Sequence, residues 1–283
     1  DVPERLGESD RRRLAAALSE PAGGEPAEDQ LAIRPAGILA RRLRRAPTPD
    51  TTEPLTPTGT VLITGGTGAL GAHAARWLAA RGAPHLLLLS RRGPDAPGAA
   101  ELVRDLTETG TTVTVLACDV ASRTDLAAAI AGIPADQPLS GVVHTAGVTD
   151  DSPLETLTLD QLAGVLHAKT LPAAHLDALT DGLPLRMFVL YSSMAGTVGN
   201  PGQANYAAAN SYLDALACDR HARGLPATSL AWGPWADSGL AAGTGLTDRH
   251  RRLGLTPLQA GPAMDAFGVA VADDRPAIVV GDV

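Results

Sequence analysis

Seven apolar runs, at 60–64, 85–90, 112–117, 141–145, 185–191, 227–232 and 277–280, alternate with Ala- and Leu-rich stretches of helical period. Strands that are apolar on both sides need cover on both faces, and strands separated by helices pair in parallel through crossovers. The alternation therefore predicts an α/β fold: a doubly wound parallel sheet of Rossmann-like type, with helices on both faces. Aromatic residues make up only 3% of the chain, so the helices must pack through Ala, Leu and Val.

The chain has 283 residues and is 45% hydrophobic, enough for one large domain and a fragment. Residues 1–45 read as a helix over Glu8–Leu18, a Gly/Pro/Glu loop, and two short strands around 30–34 and 38–43. They are too few to form a core alone. Residues 46–58 are Pro/Thr-rich without either hydrophobic period, and are expected to be a linker. The main domain then occupies 59–283. A net charge of -8 and the scarcity of aromatics argue against nucleic acid. No apolar run reaches the roughly 20 residues of a membrane span, and no charged-then-apolar signal opens the chain, so no membrane partner and a cytoplasmic location are expected. Cys118 and Cys218 are the only cysteines, and they fit reduced buried thiols better than a disulfide. No metal site is expected.

The first run of the main domain leads directly into Thr64-Gly65-Gly66-Thr67-Gly68-Ala69-Leu70-Gly71 and then into a helical stretch from Ala72. Strand, glycine turn and helix in that order suit a dinucleotide pyrophosphate. The glycines allow close backbone approach, and the helix start offers free amides. Thr64, Gly65, Thr67, Gly68 and Leu70 are the expected contacts. The second strand ends in Ser90-Arg91-Arg92 rather than an acid. Arginine can fork onto a 2′-phosphate where an acid would repel it, so NADPH is expected over NADH. Cys118-Asp119-Val120 after the third strand and Ala146-Gly147 after the fourth are further candidates for cofactor contact.

The fifth strand leads into Ser192-Ser193, and Tyr206 follows Ser193 by thirteen residues. Short-chain reductases usually carry lysine four residues after the tyrosine, on the same helix face. Asn210 stands there instead. The ammonium must come from the preceding helix through Lys169, the only lysine; the other 22 of the 23 basic residues are arginine. Serine, tyrosine and lysine then converge at the carboxyl ends of the strands, where open α/β sheets bind ligands.

These residues make the chain resemble the ketoreductase domains of modular type I polyketide synthases, within the short-chain dehydrogenase/reductase superfamily. The resemblance covers 59–283. It rests on the glycine turn, His144-Thr-Ala-Gly-Val148, Ser192-Ser193, the segment from Gly202 to Asn210, Leu230-Ala-Trp-Gly-Pro-Trp235, and the exchanged Lys169 and Asn210. It implies hydride transfer from NADPH to C3 of a 3-ketoacyl chain, held by phosphopantetheine on an acyl carrier protein beside other synthase domains. Tyr206 would give the proton, Ser193 would hold the ketone oxygen, and Lys169 would lower the phenol's pKa. Asn210 would anchor the lysine and a water chain.

The resemblance extends to stereochemistry. Thr149-Asp150-Asp151 is similar to the Leu-Asp-Asp signature of B-type reductases, which give 3R alcohols, with Thr149 in place of leucine. Asp151 would be diagnostic, accompanied by Pro201 and Asn205, with Val198 where A-type domains carry tryptophan; a plain polar loop is the alternative. Trp232 and Trp235, followed by a glycine-rich stretch to Gly245, fit either a substrate lid or core. His250 among Arg249, Arg251 and Arg252 fits either carrier steering or a solvated helix face. Residues 1–45 look like the end of the non-catalytic subdomain that precedes such reductases, either trimmed or completed by another chain. A fatty-acid synthase reductase and a catalytically silent scaffold remain as alternatives.

Overall fold

The computed structural model describes residues 1–19, 28, 30–46, 56–236, 254–273 and 275–282. The backbone divides into two compact units, Asp1–Thr48 and Pro49–Val283.

The first unit holds α1 (Glu8–Leu18), β1 (Leu31–Arg34) and β2 (Gly37–Ala40), with the strands antiparallel and Ile33 opposite Ile38. The helix matches the expected span. The second strand stops at Ala40 rather than Leu43 because its partner begins at Leu31, opposite Ala40, and leaves the exposed residues 41–43 without a strand to face. Within this unit Ile33 is buried, while α1 buries no residue.

The second unit starts with β3 (Thr60–Thr64), α2 (Ala69–Ala79), β4 (His85–Ser90), α3 (Ala99–Glu108), β5 (Thr112–Ala117) and α4 (Arg123–Ala131). It continues with β6 (Leu139–His144), α5 (Leu159–Leu179), β7 (Met187–Ser193), α6 (Met194–Val198) and α7 (Ala204–Ala222). Last come β8 (Thr228–Trp232), α8 (Ala260–Val271) and β9 (Ala277–Val280). The seven strands form one parallel sheet in the order β5-β4-β3-β6-β7-β8-β9. Each predicted run is a strand. The largest offset is β7, which begins and ends two residues later than its apolar run, because Ser192 and Ser193 pair with Ala231 and Trp232 of β8.

Side chains alternate across each strand, so the central strands β3, β4, β6 and β7 feed two cores. Val61, Ile63, Leu86, Leu88, Val143 and Val189 pack on one face against α2 and α8. Leu62, Leu87, Val142, Phe188 and Leu190 pack on the other, with Leu176 of α5 and Leu213 of α7. This double demand explains why the strands read as unbroken apolar runs.

All three tryptophans lie in the first core. Trp77 meets Phe267 edge-on at 4.9 Å, Trp232 packs on Tyr191 at 5.3 Å, and Trp235 on Trp232 at 5.1 Å between ring centroids. In the other layer a buried ion pair joins α5 to α7. Arg220, 1% exposed, donates to the Asp177 carboxylate and stacks its guanidinium 3.8 Å from the Phe188 ring centroid. Arg223 bonds the same carboxylate at 2.8 and 3.0 Å. The two helices tied in this way are those that carry Lys169 and Tyr206.

Among the described residues no helix is long and apolar enough to cross a membrane. Cys118 is buried as expected, but Cys218 is exposed: on α7 it lies just beyond the buried Ala217, on the face turned from the sheet.

Candidate functional site

The strand order reverses between β3 and β6, and there the loops after adjacent strands part to leave a crevice. A cleft of about 840 Å³ opens at these carboxyl ends, walled by residues following β3, β6, β7 and β8.

The floor on the β3 side is the glycine turn. Gly65 has φ +65°, and a Cβ there would lie 2.9 Å from Thr145 Oγ1. A Cβ on Gly71 would come within 2.3 Å of the Gly65 carbonyl oxygen. Side chains at either place would fill the cradle or push α2 off the turn. α2 opens at Gly68 without a side-chain cap, so its first-turn amides keep their donors and the positive end of the helix dipole meets the cleft. Gly65, Gly68, Leu70, Ala146 and Gly147 all line it. This cradle fits a dinucleotide's pyrophosphate.

Other expected cofactor residues lie beyond the cleft walls. Arg91 and Arg92 are exposed after β4, with no ion pair among the described residues, while the buried hydroxyl of Ser90 lacks a partner. Asp119 closes a local turn by accepting from the Ala121 amide at 3.0 Å. Burial, followed by Asp125 and Asp119, pushes the Cys118 thiol up to about 11, so it is an inert wall beside Val120. Thr67 is half-buried and outside the cleft. Thr64 is buried, and its hydroxyl is turned to His144.

Lys169, Ser193 and Tyr206 do meet in the cleft. Lys169 is buried on α5, and its Nζ donates to the Tyr191 carbonyl at 2.8 Å and lies 5.6 Å from the Tyr206 ring centroid. Burial pulls its pKa down to about 8, with the Asp214 charge opposing. Burial likewise raises the Tyr206 phenol, against the hydrogen-bonding influence of Asn210 and Ser193, while Asp151 adds to the rise. Here the Lys169 ammonium is engaged with the Tyr191 carbonyl, and burial sets the direction in which the phenol is shifted.

Asn210, fully buried one turn after Tyr206, donates to the Tyr206 carbonyl at 2.8 Å, and its Oδ1 has no partner. The two serines divide: Ser192 is buried and donates to the Asn210 carbonyl, whereas Ser193 caps α6 and remains half-buried beside the phenol.

Asp151 does not line the cleft. Its carboxylate accepts from Gln203 Nε2 at 2.8 Å, and Gln203 Oε1 accepts from Asn200 at 2.7 Å. Asn205 donates to the Asp150 carbonyl and accepts from the Tyr206 amide, both at 2.8 Å. The Asp150-Asp151 loop is thus sewn to the start of the tyrosine's helix. Pro201 and Gln203 reach the wall. Gln203 lies within the Gly202–Asn210 segment, and a polar residue three before the tyrosine is the signal that marks it. His144, between Thr64 and Lys169, lies in the same way within the His144–Val148 segment.

Trp232 and Trp235 are core and wall at once, 4% and 6% exposed yet lining the cleft. The proposed lid segment beyond Ala236 and the His250 cluster lie outside the described residues.

A family model described as the KR domain matches residues 59–237, more than half of the chain. Polyketide synthase GfsA of Streptomyces halstedii is 51% identical over 286 residues, covering 100% of this chain and 4% of that protein. Mycoketide-CoA synthase of Mycobacterium tuberculosis is 52% identical over 222 residues, covering 77% of this chain and 5% of that protein. The chain therefore spans a small part of these relatives. Among solved structures, an A1-type ketoreductase superposes with a TM-score of 0.93 at 46% identity, covering 99% of this chain and 59% of that one. A C2-type ketoreductase from a modular polyketide synthase gives 0.86 at 39% identity, covering 100% and 60%. Glycine cradle, lysine from α5, tyrosine from α7 and these likenesses agree: the chain belongs to the ketoreductase domains of modular polyketide synthases.

Proposed function

We propose that the chain reduces a 3-ketoacyl thioester, presented on an acyl carrier protein, to the 3R-hydroxyacyl thioester with NADPH during polyketide synthesis. The observation that carries this reading is the meeting of Tyr206, Ser193 and Lys169 in one cleft with a glycine turn bare of side chains at its floor. The nicotinamide cofactor supplies the hydride. This chain's own residues then handle the charge that develops on the ketone oxygen. Ser193 donates a hydrogen bond to it, and Tyr206 delivers the proton. Lys169 brings positive charge from α5, and Asn210, with its Oδ1 free of protein partners, offers an acceptor for the lysine or a relaying water. A cytosolic setting fits the two unbridged cysteines. The first unit is read as the end of a structural subdomain, in keeping with the greater length of the solved ketoreductases.

Loss of NADPH absorbance with a simple 3-ketoacyl thioester tests the reading. Cofactor binding without consumption would favour a silent scaffold.

Choice of cofactor rests on Arg91 and Arg92, exposed and without ion pairs among the described residues. Arg91→Ala is expected to weaken NADPH by about 1.5 to 3 kcal/mol, the worth of a hydrogen bond to a charged group, and NADH far less. Titration of both cofactors measures this, and equal losses would reduce Arg91 to a structural role.

For the stereochemistry, the ties from Asp151 to Gln203 and from Asp150 to Asn205 support a B-type loop that steers entry of the acyl chain. Selectivity is a difference between two transition-state energies, and about 1.4 kcal/mol already favours one alcohol tenfold. Chiral chromatography of the 3-hydroxy thioester is expected to give mainly 3R product. A 3S majority would overturn the B-type assignment and leave the reductase standing.

A further inference from the structure

His144 ends β6 and is fully buried, and both of its ring nitrogens are engaged. Nε2 lies 2.9 Å from the main-chain oxygen of Lys169, and Nδ1 lies 2.7 Å from Thr64 Oγ1. A carbonyl only accepts, so Nε2 carries the proton. In the neutral ring Nδ1 is then an acceptor, and the Thr64 hydroxyl must donate to it. The Thr64 oxygen in turn lies 3.4 Å from the Ala146 amide nitrogen, which donates to it. The chain of bonds thus runs from the loop after β6, through the last residue of β3 before the glycine turn, to the backbone of the lysine's helix. No step in the proposed reduction uses it.

We propose that His144 is a positioning residue: held as the neutral Nε2–H tautomer between Thr64 and the main chain of Lys169, its imidazole sets the depth of α5 and hence the reach of the lysine's ammonium. The inference rests on the reductase reading for its kinetic consequence but not for its tautomer. Three observations converge on the role. The bond lands on Lys169 itself, and not elsewhere on a helix of 21 residues. Pro172, inside that helix, cannot donate to the carbonyl four residues before it, so α5 is held less firmly by its own bonds just beside Lys169 and gains from an outside anchor. A neutral ring also suits a site that already holds one ammonium. Burial and then the Lys169 charge hold the His144 pKa down, at about 3, and Lys169 is the charged group that acts on it.

Two measurements test this. In the wild-type protein, nitrogen NMR of the imidazole, assigned by difference from His144→Gln, should show an Nε2–H ring that does not titrate between about pH 5 and 9. That window brackets the ordinary histidine pKa of about 6.5. An Nδ1–H ring, or one that titrates there, overturns the proposal whether or not the chain reduces ketones. In kinetics, His144→Leu removes the donor, while His144→Gln keeps an amide donor at the reach of Nε2. The leucine variant should lose about tenfold or more in kcat with KM for the cofactor little changed, and the alkaline limb of its pH profile should move, because the ammonium no longer sits where it acts on Tyr206. The glutamine variant should restore both. If His144→Leu does not fold, Thr64→Val removes the hydroxyl bonded to Nδ1 at nearly constant volume and should move the same limb in the same direction, with Thr64→Ser restoring it. An unmoved limb in the variants that fold, with only a lower melting temperature, would make His144 plain core.

Discussion

Tyr206→Phe is expected to lower turnover at least ~100-fold while leaving cofactor affinity nearly intact, because general acid catalysis typically supplies about 10²- to 10⁴-fold. The substitution removes one oxygen from a ring that lines the cleft beside Ser193, and the glycine cradle lies elsewhere in the same cleft. Fold and cofactor site should therefore survive. Stability should fall by about 1 kcal/mol at most, the net worth of a hydrogen bond, since the phenol interacts with the Asn210 and Ser193 side chains. Burial raises the phenol's pKa in the free site, so the group is a protonated acid at neutral pH before substrate arrives. Single-turnover rates, with a separate titration of the cofactor, read the two effects apart. Turnover near wild type would take the tyrosine out of the mechanism and leave Ser193 or water as the acid.

The largest effect on stability is expected from Asp177→Ala. Removing one partner of a buried ion pair strands the other charge, at a cost of about 3 to 5 kcal/mol. Arg220 is 1% exposed, but Asp177 is 20% exposed and shared with Arg223, so the lower end of that range, about 3 kcal/mol, is the expectation. Arg223→Ala, which breaks a more exposed pair, should cost no more than about 1 kcal/mol. Urea unfolding of the three proteins measures both differences. The stability loss should bring a loss of turnover, since the pair joins the helices that carry Lys169 and Tyr206. A loss below about 1 kcal/mol for Asp177→Ala would mean that Arg220 finds water when its partner goes.

The sheet was legible because both faces of its central strands are covered: those strands had to be largely apolar, and seven apolar-rich runs stand out against Ala-rich helices. Strand ends were less legible, as β7 shows. Ser192 and Ser193 are polar, yet they pair as strand because β8 extends far enough to meet them. The meeting of Lys169 with Tyr206 could be read from the Asn210 exchange, since a missing residue on one helix demanded a donor from another. Hydrogen-bond partners could not be read in this way. Nothing local to Asp151 says that its carboxylate turns to Gln203, 52 residues on, and nothing local to His144 says that its ring reaches the backbone of a helix. Such bonds depend on rotamers chosen by the packed neighbours, and these exist only after the chain has folded. Trp232 and Trp235 offered core or lid as alternatives, and the wall of a cleft that is itself carved into the core is both.

The gathering of every tryptophan in the core layer that borders the cleft gives the protein an optical consequence. With Trp77, Trp232 and Trp235 in one packed cluster, and Trp232 and Trp235 on the cleft wall, the chain's indole emission comes from the core layer that borders the cleft. A reduced nicotinamide absorbs where indoles emit, so its arrival would quench light from the protein and return some of it as cofactor fluorescence. Occupancy can then be followed without label or turnover, even in a Tyr206→Phe protein that no longer consumes what it binds.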